Sequence, residues 1–219
     1  MIGSNGLGWK VSAEFGYIDT GGNTESSTVN ARLNAVHESV TWRNKIAAEH
    51  LNTFNDIDTT AKRTVGELAT NYKLDENDYL FANLRGEKDR FGGYDYRVSE
   101  TVGYGHRYRW DRHRLDLEAG VGSSQTKVIG GERKSEPIVR LAGTYEWQIS
   151  ENAIFSETGF SEIGSENAHT ESETALKLKV IGRLATKLSY RIIHNNEVPP
   201  GTEKTDTITA VTLVYDFDF

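Results

Sequence analysis

Side chains of opposite character alternate from one end of this chain to the other, and that period of two restricts the fold more than any other feature. In "TLVYDFDF" the series Val211, Leu213, Tyr215, Phe217 and Phe219 is greasy, while Asp216 and Asp218 fall on the other series. Successive side chains of an extended strand point to opposite faces, so this is a strand with one apolar face. Near the start, Trp9, Val11, Ala13, Phe15 and Tyr17 oppose Lys10, Ser12 and Glu14. Further on, Val29, Ala31, Leu33 and Ala35 oppose Thr28, Asn30, Arg32 and Asn34, and Leu80, Ala82 and Leu84 oppose Asn83, Arg85 and Glu87. Helical spacing is hard to find anywhere. The pattern predicts an all-β chain of about twelve strands: one through Trp9 to Tyr17, then 26–37, 41–54, 62–73, 78–89, 95–110, 114–124, 135–149, 153–163, 171–180, 184–195 and 205–219. Alternation is less clean in the third and fourth strands, and the ninth, "AIFSETGFSEI", reads either way.

The connections alternate too. "ESV", "DEN", "DRH", "SEN" and "IGR" are tight turns, whereas "GGNTE", "NDIDTTA", "RFGGY", "QTKVIGGERK", "GSENAHT" and "NEVPPGTEK" are longer and polar, so every long loop falls at one end. That is the anatomy of a single antiparallel up-and-down transmembrane β-barrel with short periplasmic turns, longer outer loops and, for an even strand number, both termini periplasmic. Pro199 and Pro200 lie in a loop and Pro137 near a strand start, where a missing N–H is tolerated. Residues 1–7 read as a disordered or expression-derived N-terminus and 8–219 as one barrel. "MIGSNGLG" lacks the basic and apolar regions of a signal peptide, which suggests the mature form of an exported chain. No run reaches the roughly 18 apolar residues of a spanning helix. There is no Cys, hence no disulfide framework, and charges of both signs are interspersed around a net −7, unlike the clustered basic surface of a nucleic-acid binder.

Alternation alone does not say whether the apolar face meets a core or lipid. Its aromatic residues gather at strand ends. Trp9, Trp42, Tyr72, Tyr79, Tyr108, Trp110, Tyr145, Trp147, Phe217 and Phe219 fall near the short turns, and Tyr17, Phe54, Phe91, Tyr94 and Tyr96 near the long loops. Between them the face is small or aliphatic. Two such girdles suit a bilayer, whose interfaces favour amphipathic rings, and point the apolar face outward. The polar face then lines a lumen through Arg32, Arg43, Lys45, Glu49, Arg63, Glu67, Arg85, Glu87, Arg97, Arg140, Glu146, Glu173, Lys177, Lys187 and Arg191. Asn44, His50, Asn52, Glu100 and His106 break the apolar face, through either a rim position or a parity-changing bulge.

The block "GWKVSAEFGYIDTGGNTESSTVNARLNA", the spaced aromatic girdle and the ending "TLVYDFDF" resemble the YdiY-like family of salt-induced outer-membrane proteins, domain of unknown function 481. Its most specific part spans Gly8 to Asn30, and elsewhere the likeness is one of pattern. The resemblance implies a bacterial outer-membrane barrel, a role in salt or osmotic adaptation, and an assembly signal in Tyr215, Phe217 and Phe219 read by the barrel-assembly machinery. It supplies no established biochemical activity.

Catalytic candidates are sparse. Among the histidines, His37 and His113 lie by periplasmic turns, His106 is one of the misfits, His169 falls in a long loop, and His50 and His194 lie near the outer end beside Glu49 and Asn195. Neighbouring strand residues face opposite ways, so hydrogen bonding at the rim or in the lumen outweighs catalysis. "NDID" at 55–58 lacks a calcium-loop pattern, "TGGNTE" lacks the lysine and helix of a phosphate cradle, and "GGERK" at 130–134 reads as a hairpin tip. No cofactor, metal or nucleic-acid partner is expected. The partners expected are outer-membrane lipid and lipopolysaccharide, with the oligomeric state open. The leading function is a narrow channel for small ions or polar solutes, since opposed charges lining a lumen create a selective field. A non-conducting structural or surface-binding barrel with an ion-paired lumen is the alternative, and an outer-membrane lipid-modifying enzyme comes third.

Overall fold

The structure is a computed structural model and describes residues 7–20, 26–54, 59–89 and 94–218. Twelve strands follow one another: β1 (Gly8–Thr20), β2 (Ser26–Glu38), β3 (Trp42–Phe54), β4 (Thr59–Lys73), β5 (Asp78–Asp89), β6 (Tyr94–Trp110), β7 (His113–Val128), β8 (Arg133–Ser150), β9 (Ala153–Ile163), β10 (Ala168–Ile181), β11 (Leu184–Asn195) and β12 (Thr205–Asp218). Each pairs antiparallel with its sequence neighbours, and β1 closes on β12 from Lys10 opposite Asp218 to Phe15 opposite Leu213. Closure removes the edges that an open sheet would expose and satisfies the backbone without water, which is what a lipid solvent demands. Several strands outrun their sequence-predicted ends, notably β4, β7, β8 and β10.

Short connections sit at one end. Ser39 N–H donates to Trp42 O at 2.8 Å and Leu74 N–H to Asp78 O at 2.9 Å. In the β6–β7 turn Asp111 takes φ 45°, a left-handed conformation that an aspartate tolerates better than a β-branched residue would. At the other end Gly130, at φ 74°, turns the β7–β8 connection where the hairpin tip is expected. The segments 21–25 and 55–58, which carry "GGNTE" and "NDID", lie outside the described residues.

The apolar series faces out. Leu33, Ile46, Leu68, Leu84, Val102, Val121, Leu141 and Leu188 are each between 43 % and 60 % exposed, while their strand neighbours Arg63, Glu87, Arg97 and Arg191 are buried. Trp9, Trp42, Tyr72, Tyr108, Trp110, Trp147 and Tyr215 also lie on the outer wall and are half-exposed. Trp9 packs on His37 at 4.9 Å, Trp42 on Tyr72 at 4.9 Å, and His113 stacks between Trp110 and Trp147 beside Tyr145. Phe217 packs against Tyr215 with the ring centroids 4.6 Å apart and the planes tilted by 56°, and Phe219 lies outside the described residues.

Tyr79 does not belong to that belt. It is 4 % exposed and its hydroxyl donates to Glu118 inside the barrel at 3.0 Å. Leu80, Ala82 and Leu84 take the outer positions of β5, so Tyr79 and Phe81 must point inward. They find room because β6 and β7 present glycines there: a Cβ at Gly105 would lie 2.3 Å from Tyr79 Cζ, and one at Gly103 2.8 Å from Phe81 Cε1. Tyr94 also turns inward, beside a register shift in β6, and stacks under Arg97 at 4.4 Å. The misfits Asn44, His50, Glu100 and His106 do face outward, each hydrogen-bonded to a neighbour on the same face: Thr70, Thr64, Ser123 and Asp78 respectively. Register shifts are confined to strand ends and leave their parity unchanged.

Candidate functional site in the lumen

Polar-face residues from opposite walls meet across the interior. Arg32 of β2 donates two parallel bonds to Glu173 of β10, Nη1 to Oε1 at 3.0 Å and Nη2 to Oε2 at 2.8 Å, and lies 3.2 Å from Glu49 and 3.8 Å from Glu14. Arg191 of β11 binds Glu49 at 2.6 Å and Glu173 at 2.5 Å, and Lys187 joins Glu14 at 3.1 Å to Glu173 at 2.9 Å. The fork of a guanidinium matches the two oxygens of a carboxylate, which fixes geometry as well as energy.

A second knot lies toward the long loops. Arg63 of β4 donates to Glu87 at 2.9 Å and to Glu171 of β10 at 2.7 Å. In a closed ring of twelve, β4 and β10 are halfway round from each other, so this bond runs across the full width of the lumen. Arg85 bridges the same two carboxylates, 3.2 Å from Glu87 and 2.8 Å from Glu171, and its guanidinium lies 5.0 Å from the centre of the Phe160 ring. Arg140 approaches that ring at 4.6 Å and binds Glu162 at 3.1 Å. Above them Arg97 donates to Asn195 at 2.9 Å and Ser99 to Glu162 at 2.9 Å. Arg63 and Glu87 keep only 3 % and 5 % of their side-chain surface exposed.

His169 is not a loop residue. It begins β10, is buried, and has Nδ1 2.9 Å from Asn195 Oδ1 and Nε2 3.9 Å from Glu87. With Glu87 and Glu171 it forms a group whose ligand atoms lie within 4.8 Å of one another. Arg63 and Arg85 already occupy those carboxylates, so the cation between them is a guanidinium.

Toward the short turns the lumen opens. A cavity of ≈ 540 Å³ extends from a wall that includes Arg43, Arg114, Glu146 and Lys177 up to Arg85, Glu171 and Arg191. Its charges are paired as well. Lys45 meets Glu67 at 2.9 Å, Arg107 forks onto Asp116 at 2.7 and 2.8 Å, Arg114 meets Glu146 at 2.9 Å, and Lys177 meets Asp216 at 2.7 Å. Glu38 sits between Arg43, at 3.6 Å, and Lys73. The cavity thus reaches a layer of ion-paired side chains that includes Arg85, Glu171 and Arg191.

All fifteen lumen residues expected from alternation fall on this inner wall. Alternation set Glu14 on the polar face, but it did not single out Glu162, Glu171, Phe160 or Asn195. Glu171 shares the parity of Glu173, and that was its readable signal. Phe160 hid because an aromatic residue on an inner wall looks like a lipid-facing one. The outer-rim histidines make simple contacts: His50 lies 2.9 Å from the Thr64 hydroxyl and His194 2.8 Å from that of Thr205.

Comparison with known proteins places this geometry. The chain is 29 % identical over 207 residues to the uncharacterized protein YdiY of Escherichia coli (strain K12), covering 91 % of this chain and 80 % of that protein. Among solved structures it resembles the NanC porin (TM-score 0.58, 12 % identity, 95 % of this chain and all of that one). It likewise resembles an outer membrane channel from Pseudomonas putida F1 (TM-score 0.56, 11 % identity, 96 % of each chain). These share the fold, a closed porin-like barrel of the transmembrane kind. From residue 13 to residue 217 the sequence matches the family described as "Protein of unknown function, DUF481", and the chain belongs to that family.

Proposed function

We propose that this protein is a bacterial outer-membrane barrel that passes small ions or polar solutes through a lumen closed at rest by ion pairs. The single observation that carries this reading is the Arg63–Glu171 bond across the lumen, braced by Glu87 and Arg85. The closure consists of side chains rather than apolar packing, and pairs of this kind can exchange partners with passing ions. Conduction needs sites that bind and release, and a ladder of opposed charges running up from the periplasmic vestibule offers them. Salt screens exposed ion pairs most and buried ones much less, so rising ionic strength would act first on the more open vestibule pairs Lys45–Glu67 and Lys177–Asp216, which gives a role in salt or osmotic adaptation a physical basis. Tyr215 and Phe217, packed against each other on β12, serve as the mark read by the barrel-assembly machinery.

A second reading, a non-conducting barrel, draws on the same saturation of charge by charge. Planar-bilayer recording separates the two, comparing wild type with the double variant Arg63→Ala/Glu87→Ala at low and high salt. The channel reading expects rare, small openings in wild type that grow with salt, and steady larger ones in the variant. A folded double variant that stays silent overturns it in favour of the structural barrel.

A further inference from the structure

The polar residues that interrupt the outer wall are not scattered. His50 of β3 lies opposite Thr64 of β4, and Thr64 opposite Lys88 of β5, while one step nearer the long loops Asn52 lies opposite Lys62. All five share the outward parity of Leu68 and Leu84. Lys62 and Lys88 are exposed and diagonal to one another, a spacing of roughly 7–8 Å on adjacent strands. Neither meets a carboxylate at ion-pair distance among the described residues, in a protein whose inner charges are nearly all paired. The outward carboxylate on the next strand, Glu100, lies opposite Leu84, nearer the middle of the wall, and accepts a bond from Ser123. His50 Nδ1 is 2.9 Å from the Thr64 hydroxyl, and the Asn52 side-chain oxygen has no hydrogen-bond partner among the described residues.

Height matters. Lys88 is eight residues along β5 from Leu80, which lies opposite the girdle residue Tyr72. At ~3.3 Å per residue and a tilt near 40°, that is about 20 Å along the membrane normal, close to the top of a ~25 Å apolar band. Lysine ammonium groups extend further still. Directly beneath, Gly66 lies opposite Gly86, and an added Cβ on either would meet nothing within 4 Å. The shelf leads down into an outer groove of ≈ 780 Å³ lined by Ile46, Leu68, Ala82, Leu84, Val102 and Val121, with Asn44, Thr70, Glu100 and Ser123 also on its wall.

We infer that this face of β3 to β5 seats a phosphorylated, multiply acylated glycolipid of the outer leaflet. Lys62 and Lys88 hold its phosphate, Thr64 and His50 add hydrogen bonds, and its acyl chains lie over the glycine shelf in the groove. Charge selects the occupant: two cations with no carboxylate partner among the described residues, at headgroup height above a largely apolar groove, fit an anionic lipid and not a second copy of this wall, which would set lysine against lysine. The inference rests on the outer-membrane location and orientation proposed above.

The test uses the full chain refolded in detergent micelles, with folding verified by its gel mobility shift, and native mass spectrometry as the readout. The lipids added are bisphosphorylated hexa-acyl lipid A, its dephosphorylated form, and phosphatidylglycerol. Bisphosphorylated lipid A is expected to bind tightest, and Lys62→Gln/Lys88→Gln to weaken it about tenfold or more, the scale of losing a charge-assisted hydrogen bond. Arg109→Gln, at the opposite rim, should change nothing. Equal binding of the dephosphorylated lipid, equal loss in Arg109→Gln, or phosphatidylglycerol matching lipid A at the same lysines overturns the inference. A folded barrel that binds none of the lipids overturns it too, while leaving the membrane reading to its own test with brominated lipids below.

Discussion

Replacing Arg63 by Ala removes the one side chain that faces Glu87 at 2.9 Å, Glu171 at 2.7 Å and Asp89 at 3.7 Å together. Its side chain is 3 % exposed, and those of Glu87 and Glu171 are 5 % and 13 %, so water cannot take over the role of the guanidinium. Removing one member of a buried pair leaves the other uncompensated and costs about 3–5 kcal/mol, whereas an exposed pair contributes roughly 0–1 kcal/mol. Arg85 still bridges Glu87 and Glu171, which places the expected loss near the lower end, about 3 kcal/mol. The double variant Arg63→Ala/Glu87→Ala removes a charge of each sign and should lose less than Arg63→Ala alone. Equilibrium urea unfolding in lipid vesicles, followed by tryptophan fluorescence, reads both. The exposed pair of Lys134 and Glu166, at 2.6 Å, is the control: Lys134→Ala should leave the midpoint unmoved. A loss below about 1 kcal/mol for Arg63→Ala, or a double variant less stable than the single, would refute a buried, spanning ion pair.

Two further expectations follow from the wall. All four tryptophans, Trp9, Trp42, Trp110 and Trp147, lie at the short-turn rim, so lipids brominated near the glycerol backbone should quench their fluorescence more than lipids brominated near the chain ends; stronger quenching by the deep label would contradict an interfacial belt. Gly105→Ala would drive a methyl group into the Tyr79 ring, and the strain of overpacking should cost roughly 1–3 kcal/mol by urea unfolding. Adding Tyr79→Leu should recover part of that loss, and no recovery would place the clash elsewhere.

Much of this molecule was legible because a strand has a strict period. Once Leu80, Ala82 and Leu84 are assigned to lipid, Arg85 and Glu87 can only face inward, and the same reasoning carries through every strand whose alternation is clean. It faltered where an inner wall is apolar for local reasons. Tyr79 and Phe81 are admitted by glycines on the adjacent strand β6, and Phe160 by the guanidiniums of Arg85 and Arg140. His169 was read as a loop residue because β10 begins before the apolar alternation does. Its partner Asn195 lies across a strand pair, at a position that no local pattern marks.

The sequence by itself determined the strand number, the end at which the long loops lie, the outward face and most of the charged residues inside, because each depends on side chains a few positions apart. Only the closed barrel decided who pairs with whom. Arg63 and Glu171 are 108 residues apart and Arg32 and Glu173 141 apart, and what unites them is the curvature that brings opposite walls within reach. Whether charges line an open path or neutralise one another is a matter of ångströms across the lumen, set by closure and stagger together, and a pattern of alternate residues contains neither.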